Sequence, residues 1–244
     1  MVLAADKIRA VHDMVDGGDV GIAFQPIVEV HRRRLHAYEA LARRKTDHFA
    51  STPEMFEAAV QAGRVAELGR LHRDQAVRTC PGHHLFINID PHEFDYGWLV
   101  RPDDPIFRHR YPVTIEITES VPIKYFSQCH SVLAEIRRKG ISLAIDDLGA
   151  GFSNLKYISD LEPEIVKLDR DLIAGVHADT RQYRLLQSII QLCHEMEAQV
   201  IAEGIETESE LRSVIDLGVD FAQGYVFGRP TCPPPDLLWP GPLR

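Results

Sequence analysis

Eight short apolar stretches, most of them closed by a carboxylate or an amide, alternate with helix-spaced segments along the 244 residues. Residues 20–30 and 35–44 read as two strands around a polar turn at 31–34, a hairpin that sets the first two strands antiparallel. Further strands are expected at 85–89, 113–119, 143–147, 165–169, 199–204 and 221–225. Strands alternating with helices over this length predict one α/β domain spanning 1–244, built as an eight-stranded (β/α)8 barrel.

In such a barrel the C-terminal strand ends build the site. Glu39, Asn88, Glu116, Asp146, Asp147, Lys167, Glu203 and Gln223 all fall at or near those ends. Each has an ordinary explanation by itself. Glu39 suits a buried ion pair, and Asp146-Asp147 before Gly149 and Gly151 suits a solvated turn. A set of this size is harder to obtain from core packing, because unpaired charges are rarely buried. Adjacent carboxylates at a strand end repel unless a cation lies between them, and Lys167 among apolar neighbours needs a carboxylate partner or a lowered pKa. The donors are oxygens, with no thiol or imidazole, which favours magnesium or manganese. Two such ions sharing an aspartate and a water suit phosphate-ester hydrolysis. Lys167 would then stabilise phosphoryl charge or help activate the water, and Glu203 would bind metal or accept a proton.

The remaining chain is read as scaffold. An amphipathic lead-in helix is expected over 4–17, two helices after Pro53, and one capped by Ser127 whose Cys129, Val132, Leu133 and Ile136 face the core and which Gly140 ends. A short helix near 154–158, helices carrying Leu185–Cys193 and Leu211–Val214, and an irregular Pro-rich tail from Pro230 complete it. Net charge of -9 and a pI near 5.7 argue against a nucleic-acid polymer as partner. The cysteines lack zinc-knuckle or disulfide spacing, so a cytoplasmic home is expected, and no apolar run is long enough for membrane insertion.

The chain carries, in order, Gln25-Pro26-Ile27, Glu39-Ala40-Leu41 with Arg43, Asn88, Glu116-Ile117-Thr118-Glu119, Asp146-Asp147-Leu148-Gly149-Ala150-Gly151-Phe152-Ser153, Lys167-Leu168-Asp169-Arg170, Ala202-Glu203-Gly204-Ile205-Glu206-Thr207 and Gln223-Gly224-Tyr225. In order and composition these motifs resemble the EAL domain family, which hydrolyses cyclic di-GMP to linear pGpG. The resemblance implies a modified TIM-like barrel with the first strand antiparallel to the rest. It implies that Glu39, Asn88, Glu116 and Asp146 hold one metal and Asp146 with Asp147 the second, helped by Glu203. Lys167 would contact the catalytic water, with Glu203 and Glu39 also catalytic. Gln25, Leu41, Arg43 and Gln223 would touch the dinucleotide, and Glu119 would anchor the loop after Asp147.

Two Mg2+ or Mn2+ ions per site are expected, with Ca2+ inhibitory because it takes more ligands at longer distances. The resemblance also implies a homodimer formed through the loop after Asp147 and the helix Tyr183–Cys193, and any sensory or regulatory partner domain would lie outside these residues. Four positions depart from the family's usual loop: Leu148 replaces Phe, Ala150 Thr, Phe152 Tyr and Asn154 the second Ser. Two hydroxyls are thereby lost, which raises the expectation of a weakened loop. Ala59-Val60 stands where the family often has Ala-Glu. The alternatives are a module that binds the same ligand without cleaving it, and a magnesium-dependent barrel enzyme with another phosphate or enolate substrate.

Overall fold

The turn at 30–33 sets the topology, with Arg33 in the left-handed region at φ 50° so that the chain reverses within four residues. The computed structural model describes residues 5–18, 20–118, 126–150, 155–176 and 180–240. The reversal lays β1 (Gly21–Glu29) against β2 (Arg34–Arg43) in antiparallel register, Gln25 opposite Glu39. β3 (Leu85–Asn88), β4 (Val113–Thr118), β5 (Ser142–Leu148), β6 (Ile165–Leu168), β7 (Gln199–Ala202) and β8 (Phe221–Gln223) follow in parallel, and β8 closes the barrel on β1. The pairing of β8 with β1 is antiparallel, Ile27 opposite Gln223, so β1 alone runs against its neighbours, as expected. Its first residues therefore lie at the mouth where the other strands end.

Strand alternation divides the core in two. On β4, Val113, Ile115 and Ile117 face the outer helices, whereas Thr114 and Glu116 turn inward. The barrel interior is filled by Ile27, Ala37, Phe86, Ala144, Ile165, Ile201 and Phe221. Towards the opposite end from the mouth, His36 stacks on Phe221 with ring centroids 4.1 Å apart, and His84 Nε2 lies 2.9 Å from Thr114 Oγ1. The interior is thus packed, and the polar residues at the strands' C-terminal ends gather at the mouth.

The outer ring comprises α1 (Ala5–Gly17), α2 (Thr52–Gln61), α3 (Val65–Thr79), α4 (Phe126–Arg138), α5 (Lys156–Leu161), α6 (Arg170–Ile173), α7 (Arg181–Glu195) and α8 (Glu208–Asp216). Caps explain several starts: Ser51 accepts from Glu54 N–H on α2, Thr180 from Tyr183 N–H on α7, and Thr207 with Glu210 forms a reciprocal box on α8. The lead-in helix packs against the barrel's end. Val11 and Met14 of α1 pack with Ala42, Met55, Ala58, Ala59, Val65 and Leu68 into a third cluster beside the end of β2.

Some local expectations change. Ser127 lies inside α4 rather than capping it, since helical backbone already includes Phe126; the side chains of Ser127 and Cys129 lie outside the described set. Gly140 ends that helix at φ 82° as expected. α5 runs from Lys156 to Leu161, displaced from the expected 154–158, because Leu155 is its N-cap and Ile158 and Leu161 supply the buried side chains. α6 and the 3-10 turns Pro91–Tyr96, Trp98–Val100 and Pro105–Arg108 were not signalled by periodicity, being too short to show one. The tail is irregular but docked. Thr231 exchanges backbone hydrogen bonds of 2.8 and 3.1 Å with Phe24, extending the pairing of β1 beyond β8, and Tyr38 Oη donates to Pro235 O at 2.6 Å.

Candidate active site

One cavity of about 430 Å³ at the mouth is lined among others by Glu39, Asn88, Asp146, Asp147, Lys167 and Glu203, whereas Glu116 of β4 is fully buried and does not line it. Glu39 and Gln223, 184 positions apart in sequence, are joined by a 2.5 Å hydrogen bond from Gln223 Nε2 to Glu39 Oε2. The same amide donates to Gln25 Oε1 at 3.1 Å. Asn88 Nδ2 bridges Glu39 Oε1 at 3.0 Å and Glu116 Oε2 at 3.1 Å. This contact sets the carboxylates of β2 and β4 on either side of β3.

Lys167 enters from β6 with its side chain 1% exposed. Its Nζ lies 2.7 Å from Glu116 Oε1, 2.7 Å from Glu203 Oε1, 2.9 Å from Asp146 Oδ1 and 3.7 Å from Glu39 Oε1. Of the two states expected for a buried lysine, carboxylate pairing is the one adopted. Burial opposes its charge, but Asp146, Glu116, Glu203 and Glu39 more than offset this and hold the ammonium well above the ordinary lysine range.

The carboxylates divide. Burial would raise Glu39, but Lys167, Gln223 and Asn88 hold it below the usual range. Burial drives Glu116 and Glu203 well above theirs, with Lys167 offsetting only part and Asp146 adding repulsion. Asp146 is raised by burial and only partly relieved by Lys167. Asp147, which takes the left-handed region at φ 62°, is pushed up to about 6 by burial and by the charge of Asp146. That backbone turn lets adjacent aspartates serve the same cavity, because a continuing strand would send them to opposite faces.

Several observations bear on whether cations fit. Glu39, Glu116 and Asp146 can each present one oxygen within 4.8 Å of the others, as can Asp146, Asp147 and Glu203, so Asp146 is common to both groups. Five carboxylates share the cluster with the single Lys167 ammonium, so once all are ionised, as metal ligands are, four negative charges are in excess, which two divalent cations would cancel. Buried Gln223 Oε1 accepts no hydrogen bond, and Glu116 Oε1 has Lys167 as an ion pair but outside hydrogen-bonding alignment. An all-oxygen, over-charged donor set of this kind fits hard divalent cations.

The neighbouring positions are met unevenly. Gln25 and Leu41 line the cavity. Arg43 does not; its guanidinium donates to Ala42 O at 3.0 Å. Glu119 and residues 151–154, hence Phe152 and Asn154, lie outside the described residues. Leu148 is buried in the core, and Gly149, at φ 109°, sits where a Cβ would come 2.4 Å from Leu172 Cδ1.

Asp169, Arg170, Glu206 and Tyr225 also line the cavity, although the residue-by-residue reading gave them no role. Their signal was position, immediately after strands that already carried a site residue. Arg170 lies flat over Gly204, where a Cβ would come 2.6 Å from its own, donates to Gly204 O at 2.5 Å and pairs with Glu206 at 2.9 Å. The Glu210 carboxylate takes the N–H groups of Glu206 and Thr207 at 3.1 and 3.0 Å, pinning the loop after β7.

A closed barrel with one reversed strand, carrying an acidic cluster around a lysine at its mouth, defines the class to which this chain conforms. The chain belongs to the EAL domain family, whose profile matches residues 8–230. Among curated relatives, an Escherichia coli K12 protein described as a probable cyclic di-GMP phosphodiesterase, PdeG, is 26% identical over 235 residues, 88% of this chain and 45% of that protein. The Bacillus subtilis signaling protein YkoW is 27% identical over 223 residues, 86% of this chain and 28% of that protein, so the chain spans less than half the length of either relative. Klebsiella pneumoniae BlrP1, solved as a calcium/cyclic-di-GMP complex, superposes with a TM-score of 0.75 at 32% identity, covering 87% of this chain and 56% of that one. An EAL domain protein from Listeria monocytogenes EGD-e gives 0.77 at 25% identity over 95% of each chain. Among the described residues no helix is long and apolar enough to cross a membrane.

Proposed function

We propose that this chain is a divalent-metal-dependent phosphodiesterase that opens cyclic di-GMP to linear pGpG. The observation that carries the reading is the convergence of Glu39, Asn88, Asp146, Asp147, Lys167 and Glu203 on one acidic cavity, with Glu116 buried beside Asn88 and Lys167. Relatives described as cyclic di-GMP phosphodiesterases, and the BlrP1 complexes with calcium or manganese and the dinucleotide, support both substrate and ion class. Bound Mg2+ or Mn2+ would supply Lewis acidity to a water and to a phosphoryl oxygen.

Glu39, Asn88, Glu116 and Asp146 would hold one ion, and Asp146, Asp147 and Glu203 the other. Lys167, held charged by its carboxylate neighbours, is suited to stabilise the phosphoryl oxygens as water attacks phosphorus and one ester P–O bond breaks, the departing ribose oxygen taking a proton from solvent. Glu203, whose buried carboxyl has a raised affinity for a proton, is suited to take the one that the water gives up. Gln25, Leu41 and Gln223 line the place for the dinucleotide, and Arg43 would reach it by turning from Ala42 O. The reading includes a homodimer using the face of α7, inhibition by Ca2+, a cytoplasmic setting and regulatory segments elsewhere in the polypeptide.

Incubation of the chain with cyclic di-GMP and Mg2+, followed by chromatography, should yield pGpG. Glu39→Ala should abolish cleavage while the fold persists. Binding without product would favour a receptor, and neither binding nor product would remove the substrate assignment.

A further inference from the structure

The strongest buried charge network outside the cavity lies behind its β3 wall. Arg73 in α3 and Asp104 have no solvent exposure, and Glu93 has 1%. Arg73 Nη1 donates to Glu93 Oε2 at 2.6 Å, and Nε and Nη2 donate to the Asp104 carboxylate at 2.9–3.2 Å. Replacing such a network by apolar packing is often neutral or stabilising. Its presence here is explained by what it holds.

Glu93 Oε1 accepts the Asp90 N–H at 3.2 Å while the Asp90 carboxylate accepts the His92 N–H at 2.9 Å, a reciprocal cap on the 3-10 turn Pro91–Tyr96. That turn starts shortly after Asn88, and the intervening Ile89 N–H is tied to Glu116 O at 2.9 Å. Asn88 therefore leaves β3 along a backbone fixed at both of the residues that follow it. α3 approaches so closely that a Cβ on Gly69 would lie 2.2 Å from Glu93 Oε2.

We infer that Glu93, held in place by Arg73, is a positioning residue for the first metal site: through the turn it caps, it sets the direction in which Asn88 meets the cation. The inference rests on the metal reading proposed above. Asn88 Nδ2 is engaged by Glu39 and Glu116, so Oδ1 is the atom a cation would take, and a small rotation of the backbone would move it off target.

The test is Mn2+ binding to the substrate-free protein, read from the electron paramagnetic resonance signal of free Mn2+ at a temperature where circular dichroism shows each variant folded. Glu93→Gln should weaken the site that Asn88→Ala also weakens, about 10- to 100-fold, the range for groups that orient metal ligands. Gly69→Ala leaves all three charges in place and displaces Glu93, and should weaken it in the same direction. In an Asn88→Ala background the further loss from Glu93→Gln should shrink to about twofold or less, because the two act through one ligand. Unchanged Mn2+ affinity in a folded variant, or equal losses in both backgrounds, would overturn the inference and leave the metal reading intact. A wild-type protein that takes up no Mn2+ would remove the metal reading as well.

Discussion

The Lys167 ammonium and the Glu116 carboxylate meet at 2.7 Å with both side chains shut off from solvent. The contact joins β6 to β4 across the barrel, and it places the ammonium among carboxylates that burial alone would neutralise. Lys167→Met should therefore lower the stability of the metal-free protein by about 3 kcal/mol, the scale of breaking a buried pair. Mn2+ should restore more of the melting temperature in the variant than in wild type, while turnover at saturating metal falls at least ~100-fold. Near-wild-type turnover would deny Lys167 a part in the chemistry.

Metal binding should release protons. Asp146, Asp147, Glu116 and Glu203 are all raised, chiefly by burial, so the metal-free cluster has an increased affinity for protons, which a divalent cation must displace. For Asp147 the folded value of about 6 exceeds the ordinary 3.8, so its contribution to metal-free stability is full below about pH 4 and is lost as pH rises through 6. Metal affinity has the opposite trend and should fall as pH drops below 6. Calorimetry in two buffers of different ionisation enthalpy measures the protons released; identical heats would contradict the assignment.

Ala150→Thr tests the altered loop. Ala150 N–H is bonded to Asp147 O at 3.1 Å, so a hydroxyl here sits one short turn from the second metal's ligands. If the loss of hydroxyls loosens them, restoring one should tighten apparent Mg2+ affinity by about two- to tenfold, the value of a hydrogen bond of about 0.5 to 1.5 kcal/mol. Turnover at saturating metal should change little. Superimposable magnesium titrations would mean that Leu148, buried in the core, already preorganises the loop.

His72 supplies a pH effect remote from the metals. Burial, then the Arg73 charge, lowers its pKa from 6.5 to about 4, and its Nε2 has no hydrogen-bond partner. A histidine held neutral in the fold contributes stability that is complete above pH 6.5 and is lost as pH falls towards 4. Between about pH 6.5 and 5 wild type should lose about 2 kcal/mol more than His72→Leu, at about 1.36 kcal/mol per unit. Denaturant titrations of both proteins at the two pH values give the difference directly; parallel losses would mean that His72 remains solvated or ionised.

Strand–helix alternation over this length pointed to the barrel and the hairpin to the antiparallel pairing of β1 with β2, because both are local patterns, whereas the reversal of β1 against all other strands came from the family resemblance. The residues at strand ends were legible for the same reason: a carboxylate or amide closing an apolar run is visible without knowing its neighbours. Partners were not. That Gln223 reaches Glu39 across 184 positions, that one lysine meets four carboxylates, and that Arg43 turns to its own strand follow from barrel closure and register, which bring together groups with no sequence relation. Arg73, Glu93 and Asp104 read in sequence as ordinary charges on a helix and two loops. Their burial was decided when α3 packed across Gly69 onto the turn after Asn88, because desolvation is a property of the assembled layers and not of any segment within them.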